Sequence, residues 1–325
     1  MRLASYIING TAKTGVVLGD NSLLDLTSAS PGNRDIFGSM QSIIAHEDKA
    51  LSLAHDLVAQ NSGNHRHAME NILFQPPLPI PNSIRDFSNF ELHCLQALQS
   101  SMRMRAATHV DPEAELKRLE ESGAYALPPM WHQRPYYFKG NRMTCSGHES
   151  IIQWPNFSDT MDYELEFAAI IGKRGVNISE EEAPAHIFGY TIYNDFSARD
   201  EQVRDQQFRM GPSKGKDFDT GNAMGPWIVT RDELPDPNDL AMECRINGEV
   251  QGKGRSSGMQ FSFAQCIAFV SRDETLYPGD VFGSGTCGNG CGFETGRYLD
   301  PGDVIELEVE GIGILRNTIG QRPTS

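Results

Sequence analysis

The stretch Met161-Asp-Tyr-Glu-Leu-Glu-Phe-Ala-Ala-Ile-Ile-Gly172 restricts the fold most, because two carboxylates, Glu164 and Glu166, stand one residue apart in an otherwise apolar run. β-Branched and aromatic residues make 161–171 read as a strand, where side chains at i and i+2 share a face. Tyr163, Leu165 and Phe167 then face one way and both glutamates the other. On a half-buried sheet, two adjacent carboxylates raise each other's pKa and cost stability unless a cation lies between them. Oxygen-only ligands suit Mg2+, Mn2+ or Ca2+. The competing reading is the solvated face of an antiparallel strand, where alternating polar residues are common.

At 325 residues the chain has room for one large domain or two ordinary ones. Its 28 basic and 43 acidic residues give a net charge of −15, which argues against nucleic-acid or anionic-membrane partners and leaves the charge of a pocket open. No apolar run approaches the roughly 18 residues that span a bilayer. The apolar stretch at the amino terminus is too short for a secretory signal, so a cytoplasmic protein is expected. Six scattered cysteines do not form a disulfide framework. Cys287 and Cys291 bracket Gly-Asn-Gly like half a zinc site, but no second Cys/His pair stands at zinc spacing, and small-space filling in a glycine-rich loop is the reading preferred.

Residues 1–27 alternate short apolar strands with turns, as in antiparallel hairpins. Apolar residues at Met40, Ile43, Ile44, Leu51, Ala54 and Val58 recur at helical spacing, which Glu47 interrupts. Pro76-Pro-Leu-Pro-Ile-Pro81 is a stiff extended segment, and a boundary is placed there: a small β-rich domain with one helix over 1–75, a catalytic domain over 76–325. Residues 89–122 are rich in Met, Arg, Gln and Glu and read as a helical excursion. Beyond 160 the chain is strand-rich, with a hairpin turning at Asn247-Gly248. The class expected is α+β, mainly β.

Two glycine-rich matches mislead. Gly283-Ser-Gly-Thr-Cys-Gly288 fits a dinucleotide fingerprint, but Asn-Gly-Cys-Gly follows and cannot open the helix such a site needs. Gly211-Pro-Ser-Lys-Gly-Lys216 is one residue short of a phosphate loop, and Asp217 replaces its Ser/Thr.

His186-Ile-Phe-Gly-Tyr-Thr-Ile-Tyr-Asn-Asp-Phe-Ser-Ala-Arg-Asp-Glu-Gln202 and Asp162–Gly172 closely resemble signatures of the fumarylacetoacetate hydrolase superfamily. Phe74–Pro81, Asn89-Phe-Glu-Leu-His93, Pro135-Tyr-Tyr-Phe-Lys139, Gly215-Lys-Asp-Phe-Asp-Thr220, Leu276-Tyr-Pro-Gly-Asp280 and Gly283-Ser-Gly-Thr286 resemble further segments, in the family's order. The likeness implies a mixed β-roll carboxy-terminal domain behind a small β-rich amino-terminal one, in a homodimer. It also implies a divalent cation, Mg2+, Mn2+ or Ca2+, and a small acidic ketone as substrate.

Residue by residue, Glu164, Glu166 and Asp195 resemble the metal carboxylates, and Asp86 resembles a fourth found in the fumarylacetoacetase branch. His93 resembles the base that activates water; Arg199, Gln202 and Lys216 resemble the groups that polarise the attacked carbonyl. Lys139, Phe138, Thr220 and Thr286 fall at substrate-contact positions, and Asp303 where a carboxylate orients the histidine, unless it is only a turn residue. Phe138, Gln206 and Ser88 replace substrate-facing tyrosines, so the sequence mixes fumarylacetoacetase and acylpyruvase features. The expectation is a metal-dependent hydrolase that cleaves a C–C bond in an acidic 1,3-diketone, with 89–122 as a lid. The alternatives are a 2-oxo acid decarboxylase, hydratase or isomerase on the same scaffold, and a non-catalytic relative that keeps the fold.

Overall fold

A computed structural model of the chain describes residues 1–60, 63–208 and 211–323. Its frame is a mixed sheet built around Glu166–Ile171, which runs antiparallel to both Ile187–Asp195 and Asp280–Gly283. Beyond Asp280–Gly283 lie Ser83–Phe87, in parallel, and then Tyr137–Gly140. On the other side Ile187–Asp195 pairs with Asn222–Thr230, which pairs with Arg2–Ile8. The strands of 1–75 thus continue the same sheet, with Leu3 opposite Ile228, and the proline segment does not separate two sheets.

Both faces of this sheet are covered, so every residue from Met161 to Ile171 is buried. That removes the solvated-face reading of the two glutamates. The alternation itself persists: Tyr163, Leu165, Phe167, Ala169 and Ile171 join one core, and Ala168 and Ile170 join another. The first core lies against a second sheet that includes Ala241–Ile246, Val304–Val309 and Gly313–Ile319. The second core lies under Met40–Ala45 and Glu47–Gln60. These two helices replace the single interrupted helix expected: the chain breaks at His46, and buried Glu47 lies 3.2 Å from Arg231. The Asn247-Gly248 hairpin forms as expected, with φ of 52° and 82° and Ile246 opposite Glu249.

The excursion folds as Glu91–Ala106 and Pro112–Glu121. Asp111 caps the second helix by accepting from the Ala114 amide at 3.0 Å, and Pro112 occupies the first turn, where its missing N–H costs nothing. No helix among the described residues is long and apolar enough to cross a membrane.

Candidate metal centre and cavity

The sheet ladder lapses between the strands Met161–Asp162 and Glu166–Ile171, and Glu164 sits in that gap. Its amide donates to Asn194 Oδ1 at 2.9 Å, and the Leu165 amide donates to the Gly290 carbonyl at 3.0 Å. Asp86 comes from Ser83–Phe87, directly opposite Gly283. A Cβ on Gly283 would lie 2.5 Å from Asp86 Oδ1, so the carboxylate occupies the space that glycine leaves. Asp195 ends the strand Ile187–Asp195.

Oxygens of Asp86, Glu164 and Glu166 lie within 4.8 Å of one another, and all three residues are buried. Glu166 accepts from the Gly285 amide at 3.0 Å and the Thr286 hydroxyl at 3.3 Å. Gly285 needs to be glycine: its φ is +78° and a Cβ would meet the Phe87 carbonyl at 2.0 Å. Asp195 is turned toward Lys216, with Oδ2 at 2.7 Å from Nζ. Asp86 Oδ1 and Asp195 Oδ1 are buried without a hydrogen-bond donor.

The titration behaviour follows from this crowding. Burial, then the charges of neighbouring carboxylates, push Asp86 and Glu166 well above the usual range. Burial and Glu164 push Asp195 up to about 6 despite Lys216. Burial also acts to raise Glu164, but Lys216 and Arg199, each at 2.8 Å, outweigh it and hold this carboxyl well below the usual range. Buried carboxylates that repel one another and keep oxygens without donors fit a hard divalent cation bound by oxygen.

Arg199 and Gln202 lie three residues apart on the helix Arg199–Gln207. The guanidinium is held on three sides: Nε donates to Asp162 at 2.7 Å, Nη1 donates to Gln202 Oε1 at 2.8 Å, and Nη2 pairs with Glu164 at 2.8 Å. Asp162 in turn accepts from the Gly292 and Phe293 amides at 2.7 and 2.9 Å. Lys216 donates to the Asp195 carbonyl at 3.2 Å and reaches Glu164 Oε2.

His93 stands in the first turn of Glu91–Ala106 with Nδ1 at 3.0 Å from Glu294 Oε1. The fully buried Glu294 side chain also accepts from the Cys291 amide through Oε2 at 3.0 Å. Nδ1 is thereby committed and Nε2 is left for the cavity. Asp303 does not orient the histidine. It closes a turn, bonded to Arg297, Asn247 and the Asp300 amide at 2.8 Å each. The orienting carboxylate is Glu294, which sequence reasoning missed along with Asp162, the anchor of Arg199.

These groups open onto one cavity of about 990 Å³, lined by Asp86, His93, Glu164, Glu166, Arg199, Gln202, Lys216 and Thr286. Phe138, Ser88 and Gln206 also line it, and Leu98, Leu127 and Pro128 form part of its apolar wall. Two expected contacts are not brought there. Lys139 is exposed because strand alternation sends Phe138, opposite Asp86, to one face and Lys139, opposite Arg85, to the other. Thr220 sits at φ +66° beyond the Lys216 turn, where its hydroxyl accepts from the Gln153 amide at 2.8 Å.

A family profile for the fumarylacetoacetate (FAA) hydrolase C-terminal domain matches residues 107–320. Oxaloacetate tautomerase YisK of Bacillus subtilis is 31% identical over 98% of this chain and 100% of its own length. Human mitochondrial oxaloacetate tautomerase FAHD2A is 37% identical over 58% of this chain and 59% of its own. The solved structure of a fumarylacetoacetate hydrolase from Exiguobacterium antarcticum superposes with a TM-score of 0.74 at 26% identity, covering 99% of this chain and 100% of that one. The chain belongs to the fumarylacetoacetate hydrolase superfamily and is an enzyme of that class.

Proposed function

We propose that the enzyme interconverts keto and enol forms of a small acidic 2-oxo acid, with Asp86, Glu164, Glu166 and Asp195 holding a divalent cation, Mg2+ or Mn2+. The observation that carries this reading is the His93–Glu294 pair facing the buried carboxylate cluster across one cavity. A cation bound there supplies positive charge beside the substrate's oxygens and so favours the enolate over the ketone. His93 Nε2 takes a proton from the carbon next to the 2-oxo group, and Glu294 steadies the resulting imidazolium through Nδ1–H. Arg199, Gln202 and Lys216 bind and orient the substrate oxygens; their own hydrogen bonds fix them before substrate arrives. The helices Glu91–Ala106 and Pro112–Glu121 act as the lid that excludes water.

The full-length likeness to a B. subtilis oxaloacetate tautomerase supports tautomerisation over bond cleavage. C–C hydrolysis of an acylpyruvate-like diketone is the second reading, favoured by the likeness to the E. antarcticum hydrolase. In that case His93 takes its proton from water. The test is to strip the protein with EDTA, restore Mg2+ or Mn2+, and follow enol absorbance of oxaloacetate and of an acylpyruvate panel with product identification. Cation-restored ketonisation without cleavage is expected. Two acids as products would move the assignment to the hydrolase, and a protein that neither ketonises nor cleaves these substrates would overturn both readings.

A further inference from the structure

We propose that His93, Cys291 and Glu294 form a second metal site, suited to a thiophilic cation such as Zn2+ or Cd2+, whose occupation disables His93 as a base. One nitrogen, one sulfur and one oxygen donor from these residues lie within 4.8 Å of one another. This mixed donor set suits zinc, whereas the all-oxygen group of Asp86, Glu164 and Glu166 suits Mg2+ or Mn2+. Cys291 therefore finds its metal-binding partners in His93 and Glu294, not in Cys287.

The site is held from two directions. Cys291 is the N-cap of the short helix Gly292–Thr295, and Glu294 reaches back to its amide at 3.0 Å, so thiol and carboxylate share one turn. His93 docks on that turn from Glu91–Ala106, its Nδ1 already 3.0 Å from Glu294 Oε1. Tetrahedral zinc, with bonds of about 2.0–2.3 Å, needs donors roughly 3.5 Å apart. The nitrogen–oxygen edge, at 3.0 Å, is close to this, and the sulfur lies within 4.8 Å of both other donors. Of the three residues only His93 lines the cavity, so an ion reaches the site past its ring, and water takes the fourth position that three-ligand zinc sites leave open.

The protons balance. In the resting pair His93 carries its proton on Nδ1, donated to Glu294, and Nε2 is the free base. An ion at Nδ1 requires that proton to move to Nε2, and the Cys291 thiol releases its proton to water. Thiolate and carboxylate then neutralise the two positive charges. Inhibition rests on the reading of His93 as base; binding does not.

The test titrates the Mg2+-loaded protein with Cd2+ and follows the ultraviolet thiolate-to-cadmium charge-transfer band, with Zn2+ inhibition of turnover in parallel. The band should saturate at one equivalent, vanish in Cys291→Ser and persist in Cys287→Ser. In His93→Ala, Cd2+ should bind at least tenfold more weakly, an arm that stands even if Cys291→Ser does not fold. Equimolar Zn2+ should lower turnover at least tenfold, reversed by EDTA and then Mg2+. No band, or an equal band in Cys291→Ser, would overturn the site. A band with full activity retained would keep the site but overturn the inhibition, and with it the assignment of His93 as base.

Discussion

Replacing Glu294 by Gln changes one oxygen into an amide nitrogen and little else in volume. The wild-type carboxylate accepts twice, from His93 Nδ1 and from the Cys291 amide, at 3.0 Å each. Glutamine has one acceptor end. If it faces the Cys291 amide, its NH2 meets Nδ1 and selects the tautomer protonated at Nε2, which has no lone pair for the cavity. If it faces His93, an NH2 opposes a buried N–H, a mismatch costing about 1–3 kcal/mol. The first arrangement keeps the helix cap and therefore dominates. Fixing a catalytic histidine in the wrong tautomer lowers turnover by up to about 10⁴-fold in the analogous triad case. We expect kcat to fall on the order of 10³-fold or more, with Mg2+ affinity within about threefold of wild type, since the nearest-neighbour cation ligands are untouched. Steady-state kinetics on the enol substrate and Mg2+ titration by calorimetry measure both. A kcat within about threefold of wild type would refute the dyad.

Three further outcomes follow from the site. Asp86, Glu166 and Asp195 have folded pKa values above their unfolded ones, so the metal-free fold binds extra protons and loses stability as pH rises from about 4 through those raised values, past about 6 for Asp195. The low Glu164 pKa acts in the opposite sense only below its ordinary range. The Tm gain on adding Mg2+ should therefore grow between pH 5 and 7 in differential scanning fluorimetry; a gain that shrinks with pH would contradict the reading. Gly283→Ala places a methyl 2.5 Å from Asp86 Oδ1 and 3.0 Å from the Tyr193 ring, and should weaken Mg2+ at least tenfold by calorimetry. Lys139→Ala, on the outer face of its strand, should leave kcat/KM within about twofold, and a large loss would show that Lys139 reaches the substrate after all.

Much of the carboxylate cluster was legible, because strand parity is a local property. Glu164 and Glu166 point together even though the ladder lapses between them, since Tyr163, Leu165 and Phe167 still enter one core. What the pattern did not reveal was that both sheet faces are covered, as that depends on helices and strands far along the chain. The same parity placed Phe138 in the cavity and Lys139 outside it, a distinction that a motif match alone does not make. Glu294 was missed because it looks like an ordinary helix-cap glutamate in a glycine-rich turn; only tertiary packing brings it to His93. For Asp303 the turn alternative holds: a carboxylate after Pro-Gly is a good turn former, and here it closes the turn through the Asp300 amide. The proline segment was expected to be stiff and extended, but the chain bends through residues 77–80, and hydrogen bonding between Arg2–Ile8 and Asn222–Thr230 carries the sheet across the boundary drawn there.

The most direct test of the central claim is a crystal structure of the Mn2+-loaded protein with an anomalous difference map. The account predicts one strong peak among the oxygens of Asp86, Glu164 and Glu166, with Asp195 turned toward it. A peak elsewhere, or none at full Mn2+ occupancy in solution, would contradict it.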